Sequence, residues 1–203
     1  PGIAAAEGLQ APADGAMTMA HLEQLLRAAV YCSSAEFTRN DDGTRAESGS
    51  ATELAILRLA DGFYPDMLTA GRAQDPLDAV PFSSTRKFMA TLRPLDDGEE
   101  RMLFAKGATE VILPRCQHEW DPDADAYIQI DQQRWASQAA DMGARGQRVL
   151  AVARREWSGH TVDAEQVEDL LQRGARPAAG LVEQVLGDHR VGLHRRVEVG
   201  VGV

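Results

Sequence analysis

The chain has 203 residues, of which 44% are hydrophobic and 26% are charged, and its formal net charge at pH 7 is -10. This length and composition are typical of one globular domain with a hydrophobic core, and they exclude a disordered protein. The negative charge excludes a general affinity for nucleic acid or for an anionic membrane surface, since both of those partners require a basic protein surface.

Three parts of the chain differ in their pattern. Residues 1–17 are rich in Ala, Gly and Pro without a hydrophobic period, which is typical of a tail or linker. We expect the folded domain to cover residues 18–174, because regular hydrophobic periodicity extends that far and then decays. Residues 175–203 are predicted to be an atypical C-terminal tail. No apolar run approaches the roughly 18 residues that span a bilayer, so no direct membrane contact by this chain is expected.

The chain contains two cysteines, Cys32 and Cys116, and their spacing matches no metal site. We therefore expect no protein-bound metal. Two distant cysteines in a chain of this kind favour reduced thiols and a cytoplasmic location.

In chain order, the first predicted helix begins at Thr18, whose side chain can cap it. The apolar residues that follow have the spacing of one buried helical face, and they are Leu22, Leu25, Leu26, Ala29 and Val30. Residues 40–43, Asn-Asp-Asp-Gly, are a turn signal between two short strands predicted at about residues 36–38 and 44–47.

A second helix is predicted over residues 52–60, with Gly62 as its stop. Ser50 and Glu53 have the spacing of a capping box, so the local sequence explains Glu53 as a helix cap. A ligand-binding role for Glu53 is the alternative.

Residues 87–92 alternate polar and apolar side chains, which is the period of a half-buried strand. One face then carries Lys87, Met89 and Thr91, and the other carries Phe88, Ala90 and Leu92. We predict that this strand extends over residues 80–94. It would pair with a second strand over residues 101–106 through a hairpin turn at residues 96–99.

The face that carries Lys87 suits a flat, electron-rich and negatively charged ligand. It combines a cation, a thioether and a hydroxyl, with the aromatic ring of Phe82 at the entrance of the strand. A nucleotide fits this description. Gly107, after Lys106, would let a ligand or another backbone approach closely. The alternatives are that Phe82 is a core aromatic and that the lysines are solvated strand ends.

Three further elements are predicted toward the C-terminus. Residues 120–126 have the composition of an acidic loop, and residues 132–144 have the pattern of an amphipathic helix. Residues 148–155 form a strand that is apolar on both faces, so we expect it to be central in its sheet. Arg148 shares a face of this strand with Leu150, although an edge charge that reaches water is the alternative explanation of Arg148.

Four motifs carry a resemblance to a known family. In chain order they are Ala51-Thr-Glu-Leu-Ala55, Pro81-Phe-Ser-Ser-Thr-Arg-Lys-Phe-Met89, Lys106-Gly-Ala-Thr-Glu-Val-Ile-Leu113 and Gly146-Gln-Arg-Val-Leu-Ala-Val-Ala153. Together they resemble the nucleotide-binding (N) domain of the P-type cation-transporting ATPases, most of all the calcium-pump branch. The resemblance implies an α+β fold in which helices flank an antiparallel sheet, with ATP lying against the sheet.

The resemblance also implies roles around the adenine base. Phe82 resembles the aromatic side chain that stacks on the base, and Glu53 resembles the carboxylate that accepts a hydrogen bond from the amino group of the base. Met89 would pack against the edge of the base, and Gly107 would give the base room.

A second group of residues is implied along the rest of the nucleotide. Lys87 and Lys106 resemble the two lysines that line the path of the base and the phosphates. Arg148 resembles the arginine that bonds the phosphates or the ribose, with Leu150 as a wall beside it. The implied ligand is ATP, free or bound to Mg²⁺.

Some features depart from the family pattern. The phosphorylated aspartate of the family lies in an Asp-Lys-Thr-Gly-Thr motif that this sequence lacks, so we expect no ATP hydrolysis by this chain alone. Ser50-Ala51 stands where Asp-Pro is usual, and Thr109 stands where a proline is usual.

In an intact pump, the chain would hold ATP for phosphoryl transfer to an aspartate on the phosphorylation domain, and the membrane domain would be a further partner. One alternative function is a non-catalytic relic or interaction module that keeps the fold without binding nucleotide. A second alternative is a hydrolase in which a carboxylate of this chain activates water, although no motif supports it.

Overall fold

The computed structural model of the chain describes residues 19–40, 44–69, 75–95, 100–121, 124, 126–165, 167, 180–184 and 197–200. The helices are α1 (Met19–Tyr31), α2 (Ala51–Phe63), α3 (Pro65–Thr69), α4 (Thr109–Ile112) and α5 (Gln132–Ala144). The strands are β1 (Glu36–Arg39), β2 (Arg45–Ser48), β3 (Asp78–Ser83), β4 (Phe88–Pro94), β5 (Arg101–Gly107), β6 (His118–Asp121), β7 (Ala126–Gln129), β8 (Arg148–Glu156), β9 (Gly180–Gln184) and β10 (Val197–Gly200).

A six-stranded sheet contains most of the strands, in the order β10-β9-β8-β5-β4-β3. Every neighbouring pair in this sheet is antiparallel. β1 and β2 form a separate two-stranded sheet, and β6 and β7 form another. Helices combined with an antiparallel sheet are an α+β architecture, so the predicted fold class is confirmed.

Helices cover both faces of the six-stranded sheet. On one face, α1 and α2 pack in a buried cluster with Met89 and Phe104. On the other face, α4 and α5 pack in a second cluster with Phe88 and Leu92, and Trp135 of α5 is the largest buried side chain there. Successive residues of β4 serve opposite clusters because side chains alternate along a strand. We refer to these surfaces as the α1–α2 face and the α4–α5 face.

The elements with a regular hydrophobic period are confirmed. The predicted apolar face of α1 is buried, and α5 covers the predicted residues 132–144. β8 lies between β5 and β9, so its predicted central place in the sheet is also confirmed. The predicted stop of the second helix at Gly62 is wrong, because α2 continues to Phe63 and Tyr64 N donates to Ala60 O at 2.7 Å.

The single strand predicted over residues 80–94 is wrong, because the chain turns back within it. β3 ends at Ser83, β4 begins at Phe88, and the two strands pair with each other. Lys87 N donates to Ser83 O at 2.6 Å, and Lys87 has a φ of 58°. A φ in the left-handed region is uncommon for a residue with a Cβ, so the polar and apolar alternation gave no sign of this turn. Lys87 therefore precedes β4 and is not one of its residues.

The acidic loop predicted over residues 120–126 is also wrong at both ends. Trp120 and Asp121 belong to β6, which pairs with β7 from Ala126 onward. Trp120 lies opposite Tyr127, and their ring centroids are 5.1 Å apart in an edge-on arrangement. Such cross-strand aromatic pairs stabilise a hairpin, and this stabilisation outweighs the loop-like composition of the segment.

Two strands lie in the range that we predicted to be an atypical tail. β9 pairs with β8, and β10 pairs with β9. The rest of residues 175–203 and the predicted linker over residues 1–17 lie outside the described residues, so both boundaries stay predictions. No helix among the described residues is long and apolar enough to cross a membrane.

Candidate functional site

The α1–α2 face brings several predicted site residues together across three strands. Met89 of β4 lies directly opposite Lys106 of β5, and Lys106 lies opposite Val152 of β8. Residues that lie opposite one another in antiparallel strands share a face of the sheet. Leu150 is two residues from Val152 on the same face, where it packs against the cluster under α1 and α2. Arg148, two residues further, is exposed at the start of β8.

A buried ion pair lies on this face. Lys106 Nζ is 3.4 Å from Glu53 Oε1, and the two residues are 4% and 9% exposed. α2 positions Glu53 in its first turn, directly above the strand that carries Lys106. A buried charge is costly without a partner, so each of these side chains requires the other.

Loop residues and the helix cap also hold the Glu53 carboxylate. Ser33 Oγ donates to Oε1 at 3.1 Å, Ser34 N donates to Oε1 at 3.0 Å, and Ser50 Oγ donates to Oε2 at 3.0 Å. Ser50 Oγ also accepts from Glu53 N at 3.3 Å, which confirms Ser50 as the N-cap of α2. The helix cap that local sequence predicted for Glu53 is therefore real but accounts for only part of its contacts.

Glu53 is ionised by its surroundings in spite of its burial. Burial raises the pKa of the Glu53 carboxyl, but the Lys106 ammonium and hydrogen bonds from Ser34, Ser50 and Ser33 lower it, and the net shift is downward. Hydrogen bonds and an opposite charge both favour the charged form of a carboxyl group. The site thus holds a carboxylate and an ammonium side by side.

Phe82 is an aromatic residue that is largely exposed to solvent. Its side chain is 58% exposed, the highest value among the large hydrophobic residues of the described part of the chain. Its neighbour Ser83 pairs with Phe88, which belongs to the α4–α5 face. A register shift between Val80 and Ser83 interrupts the alternation and leaves Pro81 and Phe82 together opposite Met89, which belongs to the α1–α2 face. The alternative that Phe82 is a core aromatic is wrong.

Lys87 does not join the other cations of the site. It lies in the turn before β4, and its Nζ is 2.9 Å from Glu110 Oε1 in α4. The expectation that Lys87 shares a strand face with Met89 is wrong, because the left-handed backbone at Lys87 interrupts the strand alternation. Its predicted contact with a nucleotide stays a prediction.

Gly107 permits a close approach of another backbone segment. A Cβ atom at this position would lie 2.5 Å from Lys87 O and 2.6 Å from Phe88 Cβ. Any side chain at Gly107 would thus push the turn at Lys87 away from β5. The sequence allowed either a ligand or another backbone segment to lie close to Gly107, and the structure shows a backbone segment there. The predicted room for a base stays a prediction.

Sequence reasoning missed Ser33 and Ser34, which approach Glu53 from the loop between α1 and β1. They lie 20 and 19 positions before Glu53, and two serines after a helix have no distinctive pattern. Cys32, just before them, donates from Sγ to Met89 O at 3.5 Å, and burial raises the pKa of its thiol to about 11, although Lys106 opposes this shift. Cys32 and Cys116 are both free and buried, and they lie in clusters on opposite faces of the sheet.

Comparisons with known proteins identify the same family. A family model described as P-type ATPase, cytoplasmic domain N, matches residues 21–181. Cation-transporting ATPase pma1 of Synechocystis sp. is 32% identical over 151 residues, which cover 72% of this chain and 16% of that protein. Probable calcium-transporting ATPase 9, plasma membrane-type, of Oryza sativa subsp. japonica is 36% identical over 113 residues, or 56% of this chain and 11% of that protein.

The sodium/potassium-transporting ATPase subunit alpha of Drosophila melanogaster is 29% identical over 133 residues, which cover 62% of this chain and 13% of that protein. The chain therefore spans less than a fifth of the length of each of these relatives. The region that the family model matches contains Glu53, Phe82, Lys106 and Arg148. This chain belongs to the family of the P-type ATPase cytoplasmic domain N.

Proposed function

We propose that this chain binds ATP against the α1–α2 face of its sheet and holds it for phosphoryl transfer to an aspartate on a separate domain. The observation that carries the proposal is an exposed aromatic ring, Phe82, on the face that also carries the buried pair of Lys106 and Glu53. An aromatic ring and a lysine are the groups that a base and a polyphosphate require.

The residues divide between the two ends of the nucleotide. Phe82 stacks on the adenine, while Met89 and Leu150 supply apolar surface beside it and Gly107 keeps the backbone close. Arg148, which is exposed at the start of β8, attracts the phosphates, and Lys106 lies beside Glu53 at the base end of the path of the base and the phosphates.

Two further residues complete the assignment. Lys87 is the further cation that the family pattern implies for the phosphates, and its ion pair with Glu110 on the surface can open to reach them. Glu53 holds Lys106 and offers an acceptor to the amino group of the base. Mg²⁺ arrives with ATP as Mg-ATP, where it screens the phosphate charge.

The affinity is expected to be weak. One stacked base contributes about 1–3 kcal/mol, and each charge-assisted hydrogen bond contributes about 1.5–3 kcal/mol before the cost of ordering the ligand. We expect a dissociation constant of about 0.1–1 mM. Weak binding suits a domain that must release a phosphoryl group to another domain, and positioning is the main contribution that phosphoryl transfer needs from it.

In a full-length pump, the partners of this chain are the phosphorylation domain, which supplies the aspartate, and the membrane domain, which carries the ion. This chain then lies on the cytoplasmic side. Relatives named for calcium and for sodium and potassium transport both match the chain, so the N domain serves pumps of different ions.

A calorimetric or NMR titration with ATP tests the proposal. Phe82→Ala should raise the dissociation constant at least about fivefold, because it removes the stacking contribution of one base. Ile128→Ala is the matched control, since Ile128 is 40% exposed on β7 and lies outside the site. A folded wild-type protein that does not respond to millimolar ATP would contradict the proposal and favour a relic or interaction module.

A phosphate-release assay separates binding from hydrolysis. We expect no steady release of phosphate above the level of Lys106→Ala, because the phosphorylated aspartate belongs to another domain. Release above that level would revive the hydrolase alternative.

A further inference from the structure

The two oxygens of the Glu53 carboxylate have different partners. Oε1 accepts from Ser33 Oγ at 3.1 Å, from Ser34 N at 3.0 Å and from Lys106 Nζ at 3.4 Å. Oε2 accepts from Ser50 Oγ at 3.0 Å and has one longer contact, 3.4 Å, with Ser34 Oγ. The carboxylate thus receives donors from a loop, a helix cap and a strand.

A carboxylate oxygen has two lone-pair sites, so Oε1 is saturated by protein donors. Oε2 has one strong donor and keeps acceptor capacity for a ligand. Ser33 and Ser34 therefore orient Oε1, which is the same oxygen that contacts Lys106.

The geometry of the loop supports this orientation. Ser33 is 5% exposed, and its Oγ accepts from Ala35 N at 3.4 Å, which directs its hydroxyl proton toward Glu53. A helix cap alone does not need these contacts, because Ser50 already supplies the cap of α2.

We propose that Ser33 and Ser34 are positioning residues of the ATP site, which act through Glu53 to hold the Lys106 ammonium on the sheet face. This inference rests on the proposed function, because it concerns the same site. The serines do not touch the ligand. They keep the carboxylate aligned with Lys106, which lies beside it on the sheet face.

A double-mutant cycle on ATP affinity tests the assignment, since two residues that act together show non-additive effects. Ser33→Ala should weaken ATP binding about 3- to 10-fold, the range that the loss of one net hydrogen bond gives. In the Lys106→Met background, the same change should alter the affinity by less than about 1.5-fold, because the lysine through which it acts is gone. A purely structural serine would weaken binding in both backgrounds.

Ser158→Ala is the matched control, because Ser158 is exposed beyond β8 and its contact with Arg101 uses its backbone carbonyl, which the substitution keeps. It should leave the affinity unchanged. If Ser33→Ala does not fold, Ser33→Cys replaces it, since a thiol keeps the shape of the side chain but is a weak donor. If Lys106→Met does not fold, Glu53→Gln completes the cycle, since it keeps the shape of the side chain.

The outcomes separate the two proposals. A wild-type protein that does not bind ATP overturns the proposed function. Wild-type binding with an unchanged affinity of Ser33→Ala, or with equal losses in both backgrounds, overturns only the positioning role of the serines.

Discussion

The two faces of the six-stranded sheet bury different kinds of side chain, although the same strands build both. On the α4–α5 face, β4 buries Phe88 and Leu92. On the α1–α2 face, the neighbouring positions of β4 and β5 bury the polar side chains Thr91, Arg93 and Lys106. Alternation along each strand separates the two sets. The comparison teaches that both faces of one sheet can bury an apolar cluster while only one of them adds the polar side chains of β4.

Two buried cations of the α1–α2 face, Arg93 and Lys106, are held by partners. Arg93 Nε donates to Tyr31 O at 3.0 Å, and its guanidinium lies 5.7 Å from the centre of the Tyr31 ring. Lys106 pairs with Glu53. A buried ion pair contributes little net stability, since desolvation offsets its attraction. We infer that the charges of this face serve binding, while the apolar clusters of both faces supply most of the stability.

The largest expected effect is a loss of stability from a cavity in the core of the α4–α5 face. Phe88 is 0% exposed, and Phe88→Ala should lower the free energy of unfolding by about 3–5 kcal/mol because it leaves a cavity in the core. Phe82→Ala is the matched control, since the same change at an exposed position should cost less than about 0.5 kcal/mol. Urea denaturation followed by circular dichroism measures both. Equal losses of stability in the two variants would contradict the placement of Phe88 in the core and of Phe82 at the surface.

Much of the fold could be predicted from the sequence because the signals are local. The hydrophobic period of α1 and α5 and the double-sided apolar run of β8 depend only on neighbouring residues, and all three were confirmed. The turn between β3 and β4 could not be predicted in this way. It depends on a left-handed Lys87, and the turn residues of the segment include neither Gly nor Asn.

The candidate site shows the same limit. Strand pairing brings Met89 beside Lys106, and the motif order already placed both residues in one site. The contacts of Ser33 and Ser34 with Glu53 depend on the docking of α1 beside α2, which no local pattern specifies. The pairing of Lys87 with Glu110 likewise crosses 23 positions.

A second, smaller effect is the pH dependence of stability, which tests the buried Glu53 carboxylate of the α1–α2 face. The folded-state pKa of Glu53 lies below its ordinary value of about 4.3. Its ionisation therefore contributes stability above that value, and the contribution is lost as the pH falls through the folded-state pKa. Wild type should be more stable than Glu53→Gln at pH 7, and this difference should shrink as the pH falls below about 4.3 toward the folded-state pKa.

Urea denaturation at several pH values between 7 and 3.5 measures the difference between wild type and Glu53→Gln. Phe82→Ala serves as the control, because it changes no titrating group and its difference from wild type should not vary with pH. A difference between wild type and Glu53→Gln that stays constant over the whole range would show that Glu53 does not stabilise the fold through its charge.

The smallest expected effect concerns Lys87, which lies in the turn between β3 and β4 and pairs with Glu110. The side chains of Lys87 and Glu110 are 53% and 59% exposed, and such surface ion pairs contribute about 0–1 kcal/mol. Glu110→Gln should therefore change the free energy of unfolding by less than about 1 kcal/mol. It should also strengthen ATP binding by less than about fivefold, because Glu110 no longer competes with the phosphates for the ammonium.

The reason lies in the mobility of an exposed lysine, which can exchange one anionic partner for another at little cost. Adding Glu110→Gln to a Lys87→Gln variant should then have no effect on ATP affinity, since no ammonium remains to be released. Titration of the single and double variants with ATP shows whether the gain in affinity comes from the release of Lys87. If Glu110→Gln strengthens ATP binding equally with and without Lys87, the gain comes from the loss of a negative charge near the site, and Lys87 stays with Glu110 when ATP binds.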